Sequence, residues 1–163
     1  MPPRERSHRL PPESYQGVGS VAFTACLTDR KPLLAEEATH KALRRCLATA
    51  TERCRCIVPI YCLMPDHMHI LVTGLEEESD SRKAMIEFKR LSGQWFRLHR
   101  PEVRWQKDFY DEITRLRLGW QGQARYIAAN PVRKGLAENV HDWPFTGSIG
   151  VDLDEAISEA FWT

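Results

Sequence analysis

Residues Cys56–Gly74 read C-I-V-P-I-Y-C-L-M-P-D-H-M-H-I-L-V-T-G, and the fold follows from this stretch. Two apolar, β-branched runs, Cys56–Leu63 and His67–Gly74, flank the turn signal Met64-Pro65-Asp66, so they pair as a hairpin. Pro59 removes one ladder donor and marks an edge or a bulge. His67 and His69 stand at i and i+2 and therefore project from one face of their strand, with Met68 pointing into the opposite layer. Two readings stay open for such a pair: structural hydrogen-bonding histidines, or two ligands of one metal ion. Mg²⁺ and Mn²⁺ prefer oxygen ligands and retain waters, whereas Zn²⁺ accepts imidazole nitrogen more readily. A metal would need a further side-chain oxygen from elsewhere in the chain.

Working outward, Gly17–Thr28 alternates as a first strand and ends at Asp29-Arg30-Lys31-Pro32. Leu34, Ala38, Ala42, Leu43, Leu47 and Ala50 recur at helical spacing, which predicts a helix over Leu33–Arg53. Beyond the hairpin, the acidic Glu76–Asp80 segment leads into a long amphipathic helix from Ser81, with Ser79 or Asp80 as its N-cap. Pro101 stops that helix, and Arg104–Ile113 reads as a fourth, irregular strand. Leu118–Asn130 is a third helix ended by Pro131. Asp152–Trp162 is a short amphipathic helix packed through Ile157, Phe161 and Trp162.

The order β-α-β-β-α-β-α is that of an α+β, ferredoxin-like split β-α-β sandwich, an antiparallel sheet with helices on one face. The other face is left to carry a site, and a C-terminal helix and tail follow. The expected organisation is an N-terminal arm over 1–16, one domain over 17–149 and a C-terminal tail over 150–163. The 163 residues suffice for a core without disulfides. Five scattered cysteines, Cys26, Cys46, Cys54, Cys56 and Cys62, and the lack of an N-terminal apolar segment point to a reducing cytoplasm. The C-x-C of Cys54-Arg55-Cys56 lacks a second pair at matching spacing and is a weak zinc signal.

The formal net charge of +1 hides a steep division along the chain. Between Arg82 and Lys134 there are 13 Lys/Arg against 5 Asp/Glu, while Gly135–Thr163 holds no Lys/Arg and 6 Asp/Glu. A concentrated basic region suits a polyanion such as nucleic acid, and equally suits a solvated helix face.

The stretch Arg125-Tyr126-Ile127-Ala128-Ala129-Asn130-Pro131 adds a second signal. On a helix, Tyr126 and Asn130 at i and i+4 share a face. An asparagine amide oxygen can ligate a hard cation, and a neighbouring phenol would then stand beside that ion. Tyrosine serves as a nucleophile where a phosphodiester is broken and its energy kept for rejoining. Taken alone, both residues also fit an ordinary helix end.

The segments M-P-D-H-M-H-I-L-V, W-Q-K-D-F-Y-D-E-I, Y-I-A-A-N-P-V-R-K-G-L and D-W-P-F-T-G-S, in this order, strongly resemble the IS200-like transposases with a single catalytic tyrosine. Most similar is the subgroup associated with repetitive extragenic palindromes (REP). The resemblance runs from about Tyr15 to Ser148. It implies that His67 and His69 hold a divalent ion, Mg²⁺ or Mn²⁺, with Asn130 as third metal ligand, and that Tyr126 on the C-terminal helix is the catalytic nucleophile. It implies an enzyme that cleaves and rejoins single-stranded DNA beside imperfect hairpins through a 5′-phosphotyrosine intermediate, as a monomer in the palindrome-associated subgroup or as a homodimer with the tyrosine supplied in trans in the wider family, the monomer being favoured. Arg82, Lys83, Lys89 and Arg90 are candidate DNA contacts, and Trp95, Trp105 or Trp120 candidate stacking platforms. Many relatives carry histidine where this chain has Glu112. The alternatives are a non-catalytic hairpin-binding regulator derived from a transposase, and a zinc hydrolase of small molecules. The latter is disfavoured by the charge distribution and by the lack of a glutamate base beside the histidines.

Overall fold

Five strands, β1 (Gly19–Cys26), β2 (Cys56–Leu63), β3 (His67–Gly74), β4 (Tyr110–Ile113) and β5 (Thr146–Ile149), form one antiparallel sheet in the order β4-β1-β3-β2-β5. They are seen in a computed structural model that describes residues 10–108, 110–113 and 119–158. With α1 (Glu37–Arg53) after β1 and α2 (Ser81–His99) after β3, the first four strands make the expected split β-α-β sandwich.

The period-2 pattern of the strands sorts the core into two layers. Val21, Phe23, Met68, Ile70 and Val72 point to one face and pack with Leu43, Leu47, Met85 and Phe88 of α1 and α2. Burying each such side chain stabilises by roughly 1.5–3 kcal/mol. On the opposite face, Ile60, Cys62 and Leu71 pack with Ala124, Ile127 and Ala128. These belong to α3 (Gly119–Ala128), beside which lies α5 (Leu153–Ile157). The second face is therefore partly roofed by the C-terminal helices.

β5 lies outside the sequence-based expectation. It is four residues long, carries a glycine and shows no alternation to read, yet it pairs antiparallel with β2. A Cβ at Gly147 would collide with the Tyr61 ring, so glycine at this position lets the two strands close. Pro59 consequently sits in an interior strand. Both ladders of β2 shift register around it, a bulge that absorbs the missing N–H, and its carbonyl accepts the Ser148 hydroxyl at 2.6 Å.

Other boundaries moved for local reasons. α1 begins at Glu37 instead of Leu33, because the backbone is still extended at Glu36 (φ −145°, ψ 158°) while the Leu34 N–H bonds the Pro65 carbonyl at 2.9 Å. The cap of α2 is Asp80, whose carboxylate accepts the Lys83 N–H at 2.9 Å. The expected fourth strand is broken. Trp105 bridges Leu27, Lys107 and Asp108 bend, and regular pairing resumes only at Tyr110. The Trp105 ring is drawn towards Phe88 and Phe96, and its indole N–H donates to Ser92 Oγ at 2.8 Å.

α3 stops at Ala128 and does not run through Asn130; α4 (Asn130–Arg133) restarts after it. Pro131 has no N–H to offer the preceding turn but fits the first turn of a new helix. At the N-terminus, the stretch expected to be an arm ends in a 3₁₀ turn, Pro12–Tyr15, whose Tyr15 is buried and stacked on Phe23. Phe161 and Trp162, expected to anchor the tail, lie outside the described residues. Among the described residues no helix is long and apolar enough to cross a membrane.

Candidate active site

His67 and His69 open β3 and face the α3 side of the sheet, the side to which Leu71 also points. Their rings stand perpendicular, with centroids 4.7 Å apart, and the two Nε2 atoms converge to 3.1 Å. Each Nδ1 is held from behind. His67 Nδ1–H donates to Asp66 Oδ1 at 2.6 Å, and Asp66 Oδ2 accepts from Arg30 at 2.8 Å. His69 Nδ1 meets the Thr24 hydroxyl at 3.1 Å, across the directly paired position of β1.

These partners determine the tautomers. A carboxylate only accepts, so neutral His67 keeps its proton on Nδ1 and presents a lone pair at Nε2. His69 then donates from Nε2 to His67, while its Nδ1 accepts from Thr24. For both Nε2 atoms to ligate an ion, His69 must move its proton to Nδ1. The Thr24 hydroxyl permits this, because by rotating it can accept as readily as donate. Burial first, then the electrostatic influence of His67, Arg133 and Arg30, pushes the His69 pKa down to about 4, so the ring is neutral at pH 7. Burial opposes ionisation of Asp66, but the hydrogen bonds from Arg30 and His67 outweigh it and hold the carboxyl below its ordinary range.

The pair fits a divalent ion. Two nitrogens about 2.1 Å from one ion lie about 3.0 Å apart at a right angle and about 3.4 Å apart in a tetrahedron. The observed 3.1 Å separation is that of the hydrogen bond between the rings, and it brings both Nε2 atoms within reach of one ion. Among the described residues no group of three His, Cys, Asp or Glu could hold a metal. The five cysteines are unpaired, and burial lifts the Cys56 and Cys62 thiols to about 11, away from metal-binding thiolate.

Tyr126 on α3 and Asn130 at the start of α4 differ in exposure. Tyr126 is 57% exposed and Asn130 only 8%. The break at Ala129 separates them, and Arg133 joins them again. Its guanidinium carbon lies 3.9 Å from the Tyr126 ring centroid, Nη1 donates to the Tyr126 carbonyl at 2.9 Å, and Nη2 donates to Asn130 Oδ1 at 2.6 Å. Arg133 is also among the charges that depress the His69 pKa, which ties the helix end electrically to the histidines.

The four basic residues singled out on α2 are placed differently. Arg90 is paired with Glu87 at 2.7 Å. Lys89 donates to the carbonyls of Gln106 and Lys107 at 2.6 and 3.1 Å. Arg82 lies over the Tyr15 ring at 5.9 Å, and Lys83 is exposed. Trp95 stacks on His99, and Trp120 is half-buried against the α3-side core. Glu112 pairs with Ala22 in the β1–β4 register. Thr24, Arg30 and Arg133 carried no signal in the sequence. Each becomes visible only when a partner distant in sequence, or the turn after Pro131, is in place.

An antiparallel α+β sheet with paired histidines on one face and a tyrosine-bearing helix packed on that same face is an arrangement suited to phosphodiester chemistry. The model of the family described as "Transposase IS200 like" matches residues 19–114, more than half of the chain, and the chain belongs to that family of DNA-acting enzymes. Within it, the chain is similar to the REP-associated tyrosine transposase of Escherichia coli K12. The two are 26% identical over 128 residues, covering 78% of this chain and 75% of that protein. It is also similar to the solved structure of a REP-associated tyrosine transposase bound to a REP hairpin. That match has a TM-score of 0.68 at 26% identity and covers 81% of this chain and 78% of the other.

Proposed function

We propose that this protein cleaves and rejoins single-stranded DNA beside palindromic, REP-like hairpins, with Tyr126 as nucleophile and His67, His69 and Asn130 as the ligands of Mg²⁺ or Mn²⁺. The observation that carries the reading is the 3.1 Å convergence of the two histidine Nε2 atoms on the sheet face that α3 covers. The likeness to a transposase solved with a REP hairpin supports the choice of DNA.

Tyr126 Oη attacks the scissile phosphorus as its phenolic proton passes to solvent. The bond from phosphorus to the 3′ oxygen breaks, and that oxygen leaves as a 3′-hydroxyl after taking up a proton. The 5′ end remains as a phosphotyrosine, and a second 3′-hydroxyl reverses the step and restores the phosphodiester. The bound ion would polarise a non-bridging phosphate oxygen and offset the charge that grows on it. Asp66 and Thr24 orient the imidazoles, and Arg133 holds the Tyr126 ring. In this reading the tyrosine serves the histidines of its own chain and the protein works as a monomer, which the packing of α3 on its own sheet is compatible with.

The test is a 5′-adduct assay with a labelled single-stranded hairpin substrate and Mg²⁺ or Mn²⁺. A covalent protein–DNA species is expected with the natural chain and none with Tyr126→Phe. Full cleavage by the variant would overturn the assignment. Hairpin binding that ignores both chelator and His67→Ala, without any adduct, would leave a non-catalytic binder in its place.

A further inference from the structure

Between α2 and the Arg104–Lys107 segment lies a cleft of roughly 400 Å³, lined by Lys89, Gly93, Arg97, Arg104, Trp105 and Lys107 with their neighbours. Among the described residues no carboxylate lines it. Three other basic side chains around α2 are neutralised: Arg53 and Arg90 share Glu87, and Arg100 pairs with Glu36 and Glu102. Arg97, Arg104 and Lys107 are exposed and have no ion pair among the described residues. Like charges gathered round a concavity focus a positive potential and repel one another until an anion arrives.

The walls are built to stay in place. Lys89 fastens the carbonyls of Gln106 and Lys107, and Trp105 is locked by Ser92 between the α2 aromatics. A Cβ at Gly93 would meet no atom within 4 Å, so the floor is open. The cleft also lies at the histidine end of the sheet. Gln106 N–H donates to the Cys26 carbonyl at 2.8 Å, and Cys26 pairs with His67. Two strand spacings, about 10 Å, separate this segment from the strand bearing the histidines.

We infer that this cleft grips the backbone of single-stranded DNA where it passes over the sheet edge on its way to or from the histidine site. The inference rests on the DNA reading above and adds where the strand is held. Arg97, Arg104 and Lys107 supply phosphate contacts, which position the strand without reading its sequence.

The test measures binding of a fluorescent single-stranded oligonucleotide by the full chain under chelator, across a salt series. The combined Arg97→Gln, Arg104→Gln and Lys107→Gln variant is expected to bind at least ~10-fold more weakly near 0.1 M salt. Its slope of log affinity against log salt should shrink by about 2, since each lost phosphate contact to a single strand removes about 0.7. Arg45→Gln, at an exposed cation on α1, is expected to leave both unchanged. Should the triple variant fold poorly by circular dichroism, Arg97→Gln and Lys107→Gln alone should each reduce the slope by about 0.7. Natural chain that binds and cleaves, with a folded triple variant that keeps natural affinity and slope, would overturn the cleft alone. Natural chain that neither binds nor cleaves DNA would overturn the DNA reading with it. Equal losses in Arg45→Gln, or preferential capture of an RNA oligonucleotide through the same residues, would also overturn the inference.

Discussion

Arg133 lies over Tyr126 at 3.9 Å from the ring centroid while donating at 2.6 Å to the side-chain oxygen of Asn130. One guanidinium therefore holds both helix-borne members of the candidate site, and its charge stands where a bound cation would be repelled. Arg133→Met is expected to raise Mn²⁺ affinity in the absence of DNA several-fold, in line with removing a like charge worth about 1 kcal/mol. The same variant should slow adduct formation ~10-fold, because the ring loses a cation contact that orients it. Titration of free Mn²⁺ by electron paramagnetic resonance reads the first effect and single-turnover kinetics the second.

Thr24 stands behind His69 at 3.1 Å. Thr24→Val keeps the shape of the side chain but removes the group that must accept the relocated Nδ1 proton. Divalent-ion affinity is expected to fall ~10–100-fold, the usual cost of losing a second-layer partner. Calorimetric titration measures it, and an unchanged affinity would mean that His69 ligates without help from β1.

Acid should weaken the metal-free protein through His69. Its folded pKa of about 4 lies below the ordinary value of 6.5. In that window the unfolded chain binds the extra proton, so stability is full above pH 6.5 and declines as pH falls towards 4. The loss attributable to this ring is of order 2–3 kcal/mol. Urea unfolding at pH 7 and pH 4.5 should show it, and His69→Gln should flatten that part of the curve.

Gly147→Ala is expected to destabilise by ~1–3 kcal/mol, because the added methyl runs into the buried Tyr61 ring. Thermal unfolding reads the change. Tyr61→Phe removes the atom nearest to a Cβ at Gly147 and also strips the hydroxyl from His40 and Arg44, so Gly147→Ala should cost less in that background than in the natural chain.

Where local pattern and tertiary demand agreed, the chain was readable from its residues. β2 and β3 lie where two apolar runs flank Met64-Pro65-Asp66, and Asp80 caps α2 from the position its side chain favours. β5 was not readable, because Thr146–Ile149 becomes a strand only by pairing with β2, whose bulge at Pro59 it helps to satisfy. The helical spacing of Tyr126 and Asn130 was right in direction, but Pro131 splits the helix between them and leaves their link to Arg133. The support for the histidines was hidden for a different reason. Thr24 lies 45 residues before His69, and a serine or threonine in a strand announces no partner.

The histidines ride on a hairpin closed by a short turn, whereas Tyr126 comes about sixty residues later in the chain. Local pairings form early in folding, and synthesis proceeds at ~5–20 residues per second. A growing chain therefore carries both histidines for several seconds before Tyr126 is made. The order of synthesis thus acts as a timer: in the proposed reaction the histidines wait for Tyr126, and β5, made later still, completes the far edge of the sheet.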